Sequence, residues 1–205
     1  MTKRSYSMET RAAHEAETRE RIVRAAVRLH ADKGALHTPF AAIAKRAQVS
    51  PQTVYNHFPD MGALLGACTG HVAARAPVAD ETAFRGGRTA EERLRRLARA
   101  VYARVEFYAP WLRLGYHEAA FSPDLAAIFA SGDDDVRRLA VAALAPDREP
   151  AAGFVDAAFV LLDYPAWKTL TRERSTAEAA RLAGDGLADL VPRLTRPTRA
   201  RKELP

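Results

Sequence analysis

The chain has 205 residues, 48% of them hydrophobic, which is enough for one large domain or two small ones with a substantial core. Its single cysteine, Cys68, excludes an internal disulfide framework and fits a reducing compartment. The N-terminal sequence lacks the apolar region of a signal peptide, and no apolar run approaches the ~18 residues of a membrane span. We therefore expect a soluble, cytoplasmic protein that does not associate with a membrane.

The formal net charge of +6 is unevenly distributed along the chain. Residues 1–70 hold ten basic and six acidic residues, whereas residues 71–205 hold twenty-one and nineteen. A basic N-terminal third beside a nearly neutral remainder favours a polyanion as the partner of that third. Charge alone leaves a merely solubilising surface equally open.

The apolar pattern of the N-terminal third is helical. A first helix is predicted over residues 16–33 because its apolar residues fall on one face, and Gly34 is a natural stop. Thr38 and Pro39 then look like the N-cap and first residue of a second helix. Ser50-Pro51 repeats that signal for a short third helix, which Pro59 ends, and Asp60 can cap a fourth helix that stops near residue 76. Two of these short helices are joined by a tight turn, the helix-turn-helix arrangement.

The rest of the chain is also predicted to be helical, which makes the fold class all-α. Pro77, Gly86 and Gly87 suggest a hinge, and capping boxes open helices at Thr89 and Ser175. Proline residues are expected to divide the long helices, with a kink at Pro165. The expected parts are a flexible N-terminal arm (1–15), a helix-turn-helix domain with a connecting helix (16–76), a C-terminal helical domain (77–192) and a basic flexible tail (193–205).

The short third helix is uncharged and yet rich in hydrogen-bonding groups. At about 100° per residue, Val54 and Phe58 share a face that must point into the core. Gln52 and Asn56 then point outward, with rings on the two flanks. Amides and hydroxyls placed in this way can reach base edges in the major groove of DNA, while flanking donors bond phosphates. The alternative is a small polar helix on a helical bundle.

Residues 19–72 resemble the DNA-binding domain of the TetR family of bacterial regulators, most clearly in the stretch TPFAAIAKRAQVSPQTVYNHFPD. The resemblance implies a helical homodimer. Its helix-turn-helix DNA-binding domain (16–76) would bind an operator in double-stranded DNA, and its divergent C-terminal helical ligand-binding and dimerisation domain (77–192) would carry a small-molecule effector. The resemblance assigns phosphate contacts to Thr38, Tyr55 and His57, and the tip or base-reading surface to a further group. The full set of expected DNA-binding residues is Thr38, Pro39, Gln48, Ser50, Pro51, Gln52, Thr53, Tyr55, Asn56 and His57.

Two positions depart from the family pattern. Gln48 stands where the family often has glycine, so the turn is expected to be less relaxed or to use Gln48 as a polar contact. Met61 stands where a lysine often contacts a phosphate, and it cannot supply that charge. Since repression is the commoner mode in this family, a repressor is the expectation.

The C-terminal part offers candidates for an effector pocket and a dimer surface. Pockets are mostly apolar with a few polar groups, and an aromatic concentration between residues 102 and 121 could line one, although ordinary core packing explains each ring as well. The apolar helix at 151–174 needs burial on several sides and is expected to pair with the last helix across a twofold axis. The pocket candidates are Tyr102, Phe107, Tyr108, Trp111, Tyr116, His117, Phe121, Asp163 and Trp167, and the dimer candidates are Phe154, Phe159, Leu162, Leu187 and Leu190.

Two rival classes remain to be weighed. An enzyme is disfavoured because the histidines lack the HExxH spacing, one cysteine makes no CxxC, and neither a glycine-rich phosphate loop nor a G-x-S-x-G elbow is present. No metal or cofactor is therefore expected. A helical adaptor or small-molecule-binding protein without specific DNA binding is the second alternative.

Overall fold

Within residues 3–151 and 153–198, which the computed structural model describes, the chain forms nine α-helices and a single two-stranded sheet. The all-α prediction is confirmed. The helices are α1 (Lys3–Lys33), α2 (Phe40–Ala47), α3 (Pro51–His57), α4 (Met61–Ala73), α5 (Ala90–Glu118), α6 (Pro123–Leu144), α7 (Phe154–Leu162), α8 (Tyr164–Leu170) and α9 (Thr176–Leu194), the strands are β1 (Arg148–Pro150) and β2 (Thr195–Pro197), and short 3-10 helices lie at Glu81–Phe84 and Ala119–Phe121.

The chain divides into two units. The N-terminal unit runs to Arg75 and also includes Pro110–Phe129, and the C-terminal unit holds Ala76–Ala109 and the chain from Ala130 onward. The first change of unit lies one residue from the expected boundary between 76 and 77. The expected division did not foresee that the end of α5 and the start of α6 would belong to the N-terminal unit.

The core of the N-terminal unit is built by α1 to α4. Apolar side chains of α1 such as Ile22 and Ala26 pack on Ile43 of α2, Val54 of α3 and Leu64 of α4, and all of these are at most 1% exposed. A smaller cluster joins Leu65 of α4 to the segment from α6. Burial of this kind contributes about 25 cal/mol for each Å² of apolar surface, so it is the main force that holds the short α2 and α3 in place.

The core of the C-terminal unit is formed by α5, α6, α7 and α9. Leu94, Leu97, Leu144 and Leu187 are fully buried in it. Arg93 is also buried, because its guanidinium donates to the carbonyls of Ala143 (2.7 Å) and Leu144 (3.1 Å) at the C-terminal end of α6. These bonds satisfy carbonyl groups that the end of a helix leaves without partners.

Prolines interrupt the helices less than the sequence suggests. Pro110 lies inside the continuous helix α5, which was predicted as two segments. A proline in a helix costs one backbone hydrogen bond, and α5 is held on both sides of it, by the Tyr102 hydroxyl bonded to the Leu161 carbonyl and by the Trp111 indole bonded to the Val27 carbonyl. Pro192 likewise lies inside α9, which continues to Leu194 rather than ending at the proline.

At Pro165 the chain does more than kink. α7 ends at Leu162, and Asp163 caps α8 by accepting a hydrogen bond from the Tyr164 amide at 2.6 Å, which leaves Pro165 in the first turn, where a missing N–H costs nothing. Asp163, named above as a pocket candidate, thus also has a structural role as the cap of α8.

Both chain ends are more regular than expected where they are described. Residues 3–15, expected to be a flexible arm, are helical and continue α1, since they hold no glycine or proline and are rich in Ala, Arg and Glu. Residues 193 and 194 complete α9, and the next three form β2, which pairs antiparallel with β1. The remainder of the expected tail, residues 199–205, lies outside the described residues. The described helices include none with the length and apolarity of a membrane span.

Candidate nucleic-acid interface

The turn between α2 and α3 is a Schellman motif built around Gln48. Gln48 has left-handed φ and ψ of 56° and 48°, its amide donates to the Lys45 carbonyl at 3.3 Å, and the Val49 amide donates to the Ala44 carbonyl at 3.0 Å. This geometry favours glycine, because a Cβ clashes with the neighbouring carbonyl in the left-handed region. The absence of the usual glycine therefore changes the strain of the turn and not its shape.

The start of α3 is fixed by Ser50. Its hydroxyl oxygen accepts a hydrogen bond from the Thr53 amide at 3.0 Å and lies 2.8 Å from the Thr53 hydroxyl, as an N-cap does. Pro51 follows at the first helical position. The predicted start of this helix is confirmed. Thr53 is half-buried beside the cap.

The outward face of α3 carries two amides that are bonded to one another. Gln52 and Asn56 are both exposed, and the Gln52 Nε2 donates to the Asn56 Oδ1 at 3.0 Å. The bond links the two side chains along the helix and leaves the Gln52 Oε1 and the Asn56 amide nitrogen with hydrogen-bonding capacity. On the opposite face Val54 and Phe58 are 0% and 1% exposed. The inward and outward faces therefore lie where the helical spacing placed them.

Ring contacts hold both flanks of α3. The Tyr55 ring is 53% exposed and packs on Phe40 of α2, with ring centroids 4.9 Å apart. His57 is half-buried beside Phe58, and the Arg19 guanidinium lies 4.7 Å from the centroid of the Phe58 ring. These contacts orient the Tyr55 hydroxyl and bring a cation from α1 to the end of the helix.

Thr38 and Pro39 take different positions from those predicted. Pro39, rather than Thr38, is the N-cap of α2, and its carbonyl accepts from the Ala42 amide at 2.9 Å. Thr38 is 1% exposed, and its hydroxyl donates to the Gly34 carbonyl at 2.6 Å. In this conformation the Thr38 side chain stabilises the turn after α1, so its hydroxyl is not presented to a phosphate.

The loop before α2 is held by the buried carboxylate of Glu118. Glu118, at the end of α5, is 7% exposed and accepts hydrogen bonds from the amides of Ala35 (2.8 Å) and Leu36 (3.2 Å) and from the His37 Nδ1 (3.3 Å). Gly34 has a φ of +86°, and a Cβ there would lie 2.1 Å from the Glu118 carboxylate. Gly34 is thus required for both its backbone conformation and its space. No local signal reveals this contact, because 83 residues separate its partners.

The start of α4 lacks a cation. Met61 is half-buried against the core, and Asp60 caps the helix by accepting from the Ala63 amide at 2.7 Å. Asp124 lies close to the same end, since a Cβ on Gly62 would be 2.9 Å from its carboxylate oxygen. Position 61 therefore offers no cation to a phosphate, and two carboxylates, those of Asp60 and Asp124, lie near the start of α4.

Two further titratable groups, His30 and Cys68, are buried in the N-terminal unit. Burial lowers the pKa of His30 from 6.5 to about 4, against a smaller opposing effect of Glu118, and the His30 Nε2 has no hydrogen-bond partner within the described residues. Burial also raises the pKa of the Cys68 thiol to about 12. Neither side chain lies on the outward face of α3, because both are buried in the N-terminal unit.

The expected pocket residues do not gather in one unit. Trp111, Tyr116, His117 and Phe121 belong to the N-terminal unit, where Tyr116 packs on Phe129 with ring centroids 5.8 Å apart and Phe121 is 81% exposed. The C-terminal unit holds Tyr102, Phe107, Tyr108, Asp163 and Trp167.

Within the C-terminal unit these residues are in different surroundings. Tyr102 is fully buried, whereas Phe107 and Tyr108 are half-buried and pack edge to face at 5.4 Å. Trp167 donates from its indole to the Thr176 hydroxyl at 3.3 Å. Asp133 lies near Asp163, and burial, followed by the charge of Asp163, raises the pKa of Asp133.

The expected dimer residues differ in what they expose. Phe154, Leu162 and Leu187 are fully buried in the core of their own protomer. Phe159 and Leu190 are half-buried, and the Arg137 guanidinium lies 3.8 Å from the centroid of the Phe159 ring. Only the last two of the five have side-chain surface to offer a second copy.

Comparison with known proteins agrees with this geometry. Residues 22–68 match the family model described as "Bacterial regulatory proteins, tetR family". Among curated proteins, none matches the chain.

Solved structures share the fold over most of the chain. A TetR-like transcriptional regulator from Rhodococcus sp. RHA1 is 21% identical, with 84% of this chain and 94% of that chain covered and a TM-score of 0.63. A second Rhodococcus RHA1 structure, a bacterial regulatory protein in the tetR family, is 24% identical with coverage of 85% and 96% and a TM-score of 0.59. Salmonella enterica GusR is 25% identical with coverage of 85% and 93% and a TM-score of 0.53.

The helix-turn-helix and the family match together define the class: a DNA-binding transcriptional regulator rather than an enzyme. Residues 22–68 carry the DNA-binding domain of the TetR family, and solved TetR-like regulators share the fold of the chain.

Proposed function

We propose that the protein is a cytoplasmic, ligand-responsive repressor that binds a palindromic operator as a homodimer. The observation that carries the operator part is the outward pair Gln52 and Asn56, held in register on a helix whose other face is locked into the core. Each amide side chain can form two hydrogen bonds with an adenine edge, which is worth about 1–3 kcal/mol of discrimination for each base.

The remaining expected residues fall into supporting roles. Tyr55 and His57 flank the reading face and are proposed to contact phosphates, while Ser50 and Thr53 lie at the tip of α3. Gln48 is exposed at the turn beside them. Because phosphate contacts position the domain without reading sequence, specificity rests on the two amides and the tip.

We place the effector among the aromatic residues of the C-terminal unit. Phe107, Tyr108 and Trp167 offer half-buried rings, and Asp163 with Asp133 supplies polar groups. A lining of this kind suits a small, mostly apolar or aromatic compound. The effector acts as a switch only if it binds the operator-bound and released arrangements unequally.

A titration of the wild-type protein tests the proposed function. Fluorescence anisotropy at fixed salt would compare a palindromic fragment from the adjoining promoter with a scrambled duplex of equal length. Specific regulators bind their sites roughly 10³-fold or more tighter than random DNA. Equal and steeply salt-dependent affinity for both duplexes would instead favour a helical adaptor without specific DNA binding. Deletion of the gene should raise transcription from the same promoter if the protein represses it.

A further inference from the structure

A cationic cavity lies beside the turn between α2 and α3 and takes no part in the proposed reading of bases. It has a volume of about 320 Å³ and is lined by Arg21, Arg24 and Arg28 of α1, by Arg46 in the last turn of α2 and by the turn residue Gln48, with two alanines between them. This volume is in the range of small-molecule sites. We name these residues the arginine pocket.

The arginines converge because of helical spacing. Arg21, Arg24 and Arg28 stand at i, i+3 and i+7 of α1, which places them on one face, and that face is the one that meets the end of α2. Ala25 and Ala47 between them leave the space that larger side chains would fill. The sequence carries the spacing, but only the packing of α1 on α2 adds Arg46 and turns a basic stripe into a cavity.

The charges of the pocket are poorly neutralised by the protein itself. Arg24 pairs with Glu20 at 3.4 Å, and this pair is half-exposed. Arg21 donates to the carbonyls of Ala47 (3.2 Å) and Gln48 (3.4 Å), which fixes its guanidinium at the edge of the cavity. Arg28 and Arg46 form no hydrogen bond or ion pair with any part of the chain that the structure describes.

Four guanidinium groups around one concave space repel each other unless an anion lies between them. The planar fork of a guanidinium matches the oxygens of a phosphate with two parallel hydrogen bonds. The guanidinium of Arg21 is fixed by the two carbonyls, and those of Arg28 on α1 and Arg46 on α2 can bind an anion from two sides of the cavity. A ligand carrying two or more negative charges satisfies this arrangement best.

We propose that the arginine pocket is a phosphate-binding site, separate from the base-reading face of α3. The phosphate has two possible sources, the backbone of the bound DNA or a free phosphorylated compound, and both present the same oxygens to the guanidinium groups. If the phosphate comes from the DNA backbone, this proposal rests on the proposed operator binding; if it comes from a free compound, it does not.

Calorimetric titration with sodium pyrophosphate at low ionic strength tests the site on the full chain. The wild-type protein should bind with one site per chain, and Arg28→Gln/Arg46→Gln should bind at least tenfold more weakly. These two positions are exposed, so their substitution should leave the fold intact, as circular dichroism can verify. The matched control is Arg99→Gln/Arg174→Gln, which removes two exposed arginines of the C-terminal unit and should bind like the wild type.

Duplex titrations over a range of salt concentrations distinguish the sources. If the DNA backbone supplies the phosphate, the pocket variant should bind every duplex more weakly, with a salt slope reduced by about 1 to 2 relative to the control, and pyrophosphate should compete with the duplex. If a free compound supplies it, only pyrophosphate binding changes. Either change supports the site, and the absence of both relative to the control overturns it.

A third variant separates this proposal from the proposed function. Gln52→Ala/Asn56→Ala should lose operator preference and keep its pyrophosphate affinity. A wild-type protein without operator preference would end the proposed function and leave the pyrophosphate result standing.

Discussion

At the scale of single residues, two positions that support the helix-turn-helix are in conformations or surroundings that cost stability. Gln48 adopts a left-handed conformation that disfavours a side chain, and His30 is buried with one ring nitrogen lacking a hydrogen-bond partner in the described structure. Costs of this kind gather where a precise backbone position is needed. Here they flank the turn and the first helix that position α3.

Replacing Gln48 with glycine should stabilise the protein. Glycine would relieve the strain of the left-handed conformation, which costs a non-glycine residue about 1–2 kcal/mol. The greater freedom of glycine in the unfolded chain would offset roughly 0.4–1 kcal/mol of this stabilisation. We expect Gln48→Gly to raise the free energy of unfolding by about 0.5–1 kcal/mol in a urea titration. Gln48→Ala retains a Cβ and should show no gain, and an equal gain in both variants would exclude the backbone explanation.

His30 should make stability depend on acidity. Its pKa of about 4 in the folded protein lies below the ordinary histidine pKa of 6.5, so the unfolded chain binds more protons between these two pH values. Stability is therefore full above pH 6.5 and is lost as the pH falls toward 4. The loss from pH 7 to pH 4 is about 3 kcal/mol for this group.

The control for this effect is His30→Leu, which removes the titrating group and keeps an apolar side chain of similar size. The difference in free energy of unfolding between the two proteins should shift by about 3 kcal/mol across pH 7 to 4. Parallel curves would show that His30 keeps its ordinary pKa in the folded state.

At the scale of elements, the local signals of the sequence were strongest where side chains cap helices. Ser50, Asp60 and Ser175 cap α3, α4 and α9 as their spacing predicts, and the inward and outward faces of α3 follow its periodicity. What could not be predicted depends on distant partners. The continuity of α5 through Pro110 and the Glu118 contact both depend on partners more than 80 residues away.

The Glu118 contact joins the end of α5 to the loop that sets the start of α2. Glu118→Gln should weaken it, because an amide group has one acceptor oxygen for two backbone donors and turns an N–H group toward them. We expect a loss of about 1–3 kcal/mol in the free energy of unfolding and weaker operator binding. The measurements are a urea titration and duplex anisotropy.

Glu91→Gln is the matched control, since Glu91 lies on the same helix in the C-terminal unit and its carboxylate has no hydrogen bond within the described residues. The control should behave like the wild type. If Glu118→Gln matched it in both measurements, the carboxylate would not be holding the loop.

At the scale of the whole molecule, the sequence predicted the class of protein more securely than its assembly. The family match covers residues 22–68, whereas three of five expected dimer residues are buried within their own protomer. Apolar helices read alike whether they pack inside a protomer or against a second copy, so periodicity could not separate the two. The remaining surface on α7 and α9 includes Val160, which is 65% exposed, and Leu182, which is 38% exposed.

We expect Val160→Glu to disrupt the proposed homodimer, because a buried, unpaired carboxylate at an apolar interface costs several kcal/mol. Analytical ultracentrifugation should show at least a tenfold weaker dimer. Val78→Glu is the control, since Val78 is 64% exposed on a loop, and its dimer should be unchanged. Equal association of both variants would remove the surface around Val160 from the interface.

The central claim is that the outward amides of α3 read bases, and the operator preference of Gln52→Ala/Asn56→Ala tests it most directly. Anisotropy at fixed salt should show operator affinity reduced by at least about two powers of ten, since each lost contact is worth about 1–3 kcal/mol and both protomers lose theirs. Affinity for a scrambled duplex should be nearly unchanged. A parallel control, Thr169→Ala, removes a polar group of α8 and should retain the full preference. An unchanged ratio of operator to scrambled affinity in the α3 variant would contradict the account.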